Sequence, residues 1–223
     1  FLAVSFVRDG KDMDYARKLV NEAGWKPAMV AKIERAEAVL PDNLKAIVDA
    51  SDLVMVARGD LAVEIGDENV PAAQKLIITT ARQNEKGSIT ATQMMESMID
   101  NSSPTRAEAS DVANAVFDGT DAVMLSAETA VGSYPVETIE AMSRICSAAE
   151  HSKYNHMVKK PKIGNCSRVD QAVSVAAVKI ANEIGAKGLV VLTEGGNTSR
   201  WMSRINTSLP IYALSRDATT LGT

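Results

Sequence analysis

Five short apolar runs, each ending in polar or charged residues and each followed by an amphipathic stretch, limit what this chain can fold into. The runs are LAVSFV, AMVAKI, DLVMVA, SITAT and DAVMLS, beginning near Phe1, Ala28, Asp52, Ser88 and Asp121. Between them the apolar residues recur at helical spacing, over Met13–Ala23, Leu40–Ala50, Ala72–Asn84 and Arg106–Asp118. Strands alternating with helices in this way read as βα units built on a parallel sheet. The runs are almost wholly apolar, as strands are when both faces of a sheet are covered. No glycine-rich dinucleotide turn follows any of them, which favours a (β/α) barrel over a doubly wound sheet. A closed barrel of this kind takes eight units. Five are visible in the 223 residues, so about three more are expected upstream of Phe1, and the chain is expected to be a fragment.

Further along, Thr105 followed three residues later by Glu108 is a capping box at a helix start. Tyr134-Pro135 opens another helix, expected to run to about Glu150. Residues 151–165, HSKYNHMVKKPKIGN, lose the apolar period and read as a linker. A second α/β pattern then begins, with a helix over Val169–Ile184, a strand over Leu189–Thr193, a helix over Ser199–Ile205 and a strand PIYALS. The expected fold class is therefore α/β. Residues 1–150 form the second part of a (β/α)8 barrel, 151–165 a linker, and 166–223 the start of a smaller α/β domain.

A net charge of −4 argues against a nucleic-acid backbone or an anionic membrane as the main partner. Cys146 and Cys166 have no CxxC spacing and read as free thiols of a reducing compartment, so a cytoplasmic location is expected. No basic region precedes the opening FLAVSFV, no small-residue cleavage site follows it, and no 18-residue apolar segment exists to span a membrane.

In a parallel barrel the working groups sit where strands end. The second run ends Lys32-Ile33-Glu34, with Lys32 and Glu34 on one strand face. The third ends Arg58-Gly59-Asp60, the fourth Thr90-Ala91-Thr92 with two hydroxyls on one face, and the fifth Ser126-Ala127-Glu128. Taken alone, a Lys-x-Glu is most often a solvated rim. An Arg-Gly-Asp that follows a buried strand is a poor adhesion signal. Together, however, neighbouring strands bring Glu34 and Asp60 close, and two carboxylates a few ångströms apart repel by roughly 4 kcal/mol at an effective dielectric near 20. A divalent cation such as Mg²⁺ relieves this, because it takes one or two carboxylates and leaves its other positions to substrate oxygens and water. Lys32 adds positive charge for an anionic substrate, and Gly59 lets backbone approach a ligand. The set suits stabilisation of a phosphoryl group or an enolate.

The blocks AKIERAEAV, MVARGDLAVEIG, ITATQMMESMI, PTRAEASDVANAV and DAVMLSAETAVGSYP, in this order and spacing, closely resemble the pyruvate kinase family. The resemblance implies a glycolytic enzyme that transfers the phosphoryl group of phosphoenolpyruvate to ADP, giving pyruvate and ATP. It implies that Lys32 neutralises the moving phosphoryl and the enolate, and that Glu34 and Asp60 ligate Mg²⁺, for which Mn²⁺ substitutes. Ala57, Gly59 and Asp60 would form the backbone segment that meets the substrate carboxylate at a helix N-terminus. Thr92 would contact the substrate near the carbon that is protonated, with a water relayed through Thr92 or Ser126 as the expected proton source. Glu64 and Glu128 are expected to play supporting parts. The resemblance also implies a potassium site built from residues outside this chain, a lid domain over the nucleotide, and a homotetramer. The segment alone is expected to be inactive. The chain departs from the family pattern at Ala62, Ala127 and Lys86-Gly87-Ser88-Ile89.

Two other readings remain open: another Mg²⁺-dependent barrel acting on phosphoenolpyruvate or a keto acid, and a catalytically silent relative. In the second domain Thr193-Glu194-Gly195-Gly196-Asn197-Thr198-Ser199 precedes a helix. It is either a plain βα turn or a cradle for the phosphate of an allosteric effector, as the resemblance implies. Arg200 and Arg204 are candidate charges beside it. Glu194 and Asn197 stand where some relatives carry a basic residue, so fructose 1,6-bisphosphate is disfavoured, and AMP, a sugar monophosphate or no effector stay open. His151 and His156 are expected to be exposed, and Met94, Met95 and Met98, at helical spacing, to be packing residues.

Overall fold

Each of the five apolar runs forms a strand, and all five strands are parallel. In the computed structural model, which describes residues 1–154, 168–205 and 207–221, the strands are β1 (Leu2–Val4), β2 (Met29–Ile33), β3 (Leu53–Ala57), β4 (Gly87–Ala91) and β5 (Ala122–Met124). Their order across the sheet is their order along the chain. A doubly wound sheet reverses its order at a switch point; no reversal occurs here, which is the arrangement of consecutive barrel strands. The register sets Ile33 of β2 against Val56 of β3, and Ala57 of β3 against Ala91 of β4, so the strand ends lie level.

The crossovers are α1 (Gly10–Glu22), α2 (Pro41–Ala50), α3 (Arg58–Ile65) with α4 (Val70–Gln83), and α5 (Arg106–Asp118). After β5 come a one-turn α6 (Ala127–Ala130) and α7 (Pro135–His151). Alternate strand residues feed two cores. Ala31, Ile33, Val54 and Val56 pack with Met13, Leu44, Ile47, Ile77 and Ile78 of the helices, while Val30, Met55 and Ala91 pack together on the other face. Both faces are therefore buried, which explains why the strands lack polar alternation. A third cluster gathers Met94, Met95, Met98, Val112, Ala115, Ala141 and Met142.

Several helix bounds differ from those expected. α1 begins at Gly10, because Asp9 accepts hydrogen bonds from the Lys11 and Asp12 amides at 2.9 and 3.3 Å. Its polar first turn carries no apolar period. Gly10 is needed where α1 meets α2, since a Cβ there would lie 2.7 Å from the Ala46 carbonyl oxygen. α3 was not marked by periodicity, and only Arg58 and Leu61 are buried along it. The three methionines are fully buried, but Met94 and Met95 lie outside any helix and Met98 sits in a 3-10 turn.

The capping box of α5 is present, and its carboxylate does more than cap. Glu108 accepts from the Thr105 amide and hydroxyl at 2.8 and 2.9 Å, and from the Ser97 amide and hydroxyl at 2.7 and 2.5 Å. Burial pushes its pKa up, but the hydrogen bonds from Ser97 and Thr105 outweigh burial and hold it below the usual value of 4.5. A depressed carboxylate contributes stability above its unfolded pKa and loses that contribution as pH falls through the folded one. Glu108→Gln is therefore expected to melt below the parent at pH 7, with the gap closing as pH falls below 4.5. Thermal melts across that range check this, and a gap independent of pH would contradict it.

The chain divides into two compact units, Phe1–Pro161 and Lys162–Thr223. Of the expected linker 151–165, residues 155–165 lie outside the described residues, as do Cys166 and His156. In the second unit α8 (Val169–Glu183), β6 (Leu189–Leu192), α9 (Asn197–Arg204), β7 (Ile211–Leu214) and α10 (Ala218–Leu221) follow in order, with β6 and β7 paired in parallel. Val178, Val191 and Met202 form its core. Among the described residues no helix is long and apolar enough to cross a membrane.

Candidate active site

The end of β2 carries a buried carboxylate. Glu34 is 0% exposed, and its Oε1 lies 2.5 Å from the Nζ of Lys32, whose side chain is 26% exposed. Oε2 accepts a 2.6 Å hydrogen bond from the Phe6 amide, and Lys32 Nζ also donates to Ser5 Oγ at 3.0 Å. Phe6 holds φ +55, in the left-handed region, just beyond β1. Burying a carboxylate costs several kcal/mol unless it is paired. Here one oxygen has a backbone donor. The other has the lysine charge but no well-directed hydrogen bond.

β3 runs straight into α3, so Arg58-Gly59-Asp60 forms the first turn of a helix, with Ala57 as its N-cap. Arg58 is 8% exposed, which rules out adhesive use of the tripeptide. Its Nη1 donates to Asp111 Oδ2 at 2.6 Å. Nε and Nη2 reach the Thr92 carbonyl at 3.2 and 2.7 Å, and Nη2 also reaches the Gln93 carbonyl at 3.0 Å and Met94 Sδ at 2.8 Å. Asp60 is exposed, and its carboxylate has no partner among the described residues. Since Ile33 pairs with Val56, Glu34 is level with Ala57, and Asp60 lies about one helical turn beyond.

At the end of β4 the structure corrects one expectation. Thr90 and Thr92 do not share a strand face, because the chain leaves the strand at Ala91 and Thr92 and Gln93 turn left-handed at φ +67 and +52. Thr90 is buried and donates to Thr120 Oγ1 at 3.0 Å. The Thr92 hydroxyl donates to the Ala91 carbonyl at 2.7 Å and accepts the Gly59 amide at 2.9 Å. A β-branched residue in this region is a true outlier, of the kind that gathers at functional sites. Glu128 is buried and ties β5 to the β4 loop, accepting from the Ser126 and Met95 amides at 2.7 and 3.2 Å. Glu64 is exposed and accepts from the Ala36 amide at 3.3 Å.

Three participants were missed in the sequence. Ser5 and Phe6 lie inside the first run, ahead of the Arg8-Asp9 pair that ends it, so neither was marked as a strand end. Arg58 was hidden inside a tripeptide read as one unit.

The donor set can be tested against a cation. Among the described residues no group of three or more His, Cys, Asp or Glu side chains could hold a metal. The described residues therefore build no closed structural zinc site. What remains is a buried carboxylate oxygen on Glu34 without a directed hydrogen bond and an unpartnered carboxylate on Asp60. This fits Mg²⁺, which dehydrates reluctantly and is usually held by one or two carboxylates plus substrate oxygens.

In the second unit Gly196, at φ +75, precedes α9, and Ser199 donates back to its carbonyl at 2.8 Å. Thr193, Gly196, Ser199, Arg200, Ser203 and Thr220 help line a cavity of about 430 Å³. Thr193 and Glu194 also border a second, of about 730 Å³. Gly195 and Asn197 are exposed and Thr198 half-buried, and none of the three lines either cavity. Arg204 is buried and does not line them either.

Comparison with known proteins gives the family. The pyruvate kinase barrel domain matches residues 1–139, and the pyruvate kinase alpha/beta domain matches residues 171–223. The chain belongs to the pyruvate kinase family. Pyruvate kinase II of Salmonella typhimurium is 52% identical to it over 223 residues, covering 99% of this chain and 46% of that protein. The pyruvate kinase of Haemophilus influenzae is 50% identical, covering 99% of this chain and 47% of that one. A crystal structure of a pyruvate kinase from Cryptosporidium parvum superposes with a TM-score of 0.89 at 39% identity, covering 98% of this chain and 46% of that chain. The chain thus spans about half the length of the pyruvate kinases it matches. Of the family departures noted above, Ala62 lies inside α3, Ala127 opens α6, and Lys86 follows a turn with Glu85 at φ +67 before β4 begins at Gly87.

Proposed function

We propose that this chain carries the phosphoryl-transfer residues of a pyruvate kinase, and that the whole protein moves the phosphoryl group of phosphoenolpyruvate to ADP. The observation that carries this reading is the Lys32–Glu34 pair at the end of β2, with one Glu34 oxygen left without a directed hydrogen bond. Lys32 faces the phosphoryl group and then the enolate oxygen it leaves behind, where a fixed cation in a partly dry site is worth far more than in water. Glu34 and Asp60 would hold Mg²⁺, with Mn²⁺ as a substitute, and the ion would offset charge on the transferring phosphoryl and the enolate. The substrate carboxylate docks at the first turn of α3, where Ala57, Gly59 and Asp60 present backbone. The Gly59 amide donates to the Thr92 hydroxyl oxygen in this structure, which sets Thr92 beside the docking turn. A water relays the proton through Thr92 or Ser126 to the carbon as the enolate becomes pyruvate, the Thr92 hydroxyl turning to it from the Ala91 carbonyl, to which it donates in this structure.

Family membership supports the remaining assignments: a potassium site and a lid over the nucleotide built from residues outside this chain, a homotetramer, and a cytoplasmic glycolytic enzyme. The loop Thr193–Ser199 is assigned to the phosphate of an allosteric effector, supported by the cavity beside Gly196, Ser199 and Arg200.

A lactate dehydrogenase-coupled assay tests the reading. A full-length protein carrying this chain is expected to form pyruvate only with phosphoenolpyruvate, ADP and a divalent cation together, and the 223 residues alone to show none. Pyruvate formed from phosphoenolpyruvate without ADP would mean that water takes the phosphoryl group, which is hydrolysis and not kinase chemistry, and turnover by the segment alone would overturn the assignment of essential parts to residues outside it. Run with phosphorylated effectors on a Thr198→Ala, Ser199→Ala variant, the same assay reads the second site. Unchanged activation would remove the loop from it.

A further inference from the structure

We propose that Arg58 is a positioning residue for the protonation step: its buried guanidinium holds the left-handed Thr92–Gln93 turn and so sets the Thr92 hydroxyl. The proposal rests on the function assigned above and names how one of its groups is aimed. Thr92 is gripped at two points by one dipeptide. The Arg58 side chain takes its carbonyl at 2.7 and 3.2 Å, and the Gly59 amide takes its hydroxyl at 2.9 Å. The same guanidinium takes the Gln93 carbonyl at 3.0 Å, so two consecutive carbonyls converge on one planar fork. Convergence of this kind favours the backbone reversal that φ values of +67 and +52 produce. Neither Thr nor Gln adopts that conformation readily, and such residues persist only where their surroundings over-determine them.

The fork is itself anchored from behind. Asp111, half-buried on α5, pairs with Nη1 at 2.6 Å and leaves the other edge of the guanidinium to the turn. A lysine could keep the charge and the pairing with Asp111, but it could not reproduce a planar fork with donors aimed at two carbonyls. Arg58 makes no use of its charge towards solvent, since it is 8% exposed. Its place behind Thr92, with the turn and α5 on either side, fits a strut between α5 and the reacting end of β4.

The test uses the full-length protein and reads the protonation step separately from phosphoryl transfer, as incorporation of deuterium from solvent into the methyl group of pyruvate. Arg58→Lys is expected to fold, to leave the KM for phosphoenolpyruvate within about threefold, and to lower kcat and methyl exchange together by about tenfold or more. Misplacement by an ångström is sufficient for losses on that order. In a Thr92→Ala background Arg58→Lys is expected to lower exchange no further, because the group it positions is gone. Wild-type kcat and exchange in Arg58→Lys, or an undiminished loss in the Thr92→Ala background, would overturn the proposal. Should Arg58→Lys not fold, Asp111→Asn unpairs the guanidinium without removing it and is judged by the same two criteria. An inactive parent protein would refute the assigned function; an active parent with an indifferent Arg58 would refute only this proposal.

Discussion

Lys32→Met is expected to lower kcat for pyruvate formation by about 10²–10³-fold, the usual loss when a preorganised group facing developing charge is removed. The ammonium is fixed by two contacts, with Glu34 Oε1 at 2.5 Å and Ser5 Oγ at 3.0 Å, so it needs no reorganisation as the enolate forms. The same change also destabilises the fold. Glu34 is fully buried and would keep only the Phe6 amide as a partner. Breaking a fully buried pair costs about 3–5 kcal/mol, and the partial exposure of Lys32 reduces that figure. The two effects separate in the double variant Lys32→Met, Glu34→Gln, where the buried charge is gone as well. Thermal stability is expected to recover in part, and activity is not. A Lys32→Met enzyme within tenfold of the parent kcat at saturating substrates would show that the lysine is structural.

Glu34→Gln and Asp60→Asn are expected to raise the Mg²⁺ concentration needed for half-maximal activity by at least about 10–100-fold, since losing even a residue that only orients a metal ligand costs that much. They should differ in stability. Asp60 is exposed and unpartnered, so its amide variant is expected to melt within about 0.5 kcal/mol of the parent. Glu34 is buried beside Lys32, and its amide variant loses the ion pair and shifts the melt. Metal titrations of kcat beside thermal melts check both. An unchanged metal requirement in either variant would remove that residue from the cation site.

The sheet was legible in the sequence because a strand buried on both faces is a short uninterrupted apolar run. All five runs became strands in chain order. α5 was legible to its ends, since Thr105 and Glu108 write its start and Gly119, at φ +92, its stop. α1 was read short, because its first turn is set by a cap at Asp9 and not by apolar spacing. α3 showed no period of its own, because its sides are neither clearly apolar nor clearly polar, and only the family resemblance placed a helix N-terminus at Ala57 to Asp60.

At the site, Lys32 and Glu34 followed from strand alternation, and the structure pairs them. Thr92 was misplaced by the same rule. A β-branched residue in the left-handed region leaves no local signature, since what holds it there is an arginine 34 positions earlier in the chain. The Phe6 amide on Glu34, 28 positions away, is equally unreadable, because a backbone donor is the same whatever side chain it carries.

The account stands on one divalent cation shared by an acid at the end of β2 and an acid in the first turn of α3, with Lys32 beside them. The direct measurement is a crystal structure of the full-length protein with Mn²⁺ and a phosphoenolpyruvate analogue, phased to show anomalous scattering from the ion. One anomalous peak is predicted, with a carboxylate oxygen of Glu34 and one of Asp60 each at about 2.1 Å, the bond length typical of such a hard cation. A peak touching only one of them, or carboxyl oxygens more than about 8 Å apart and so beyond the reach of a single ion, would contradict it.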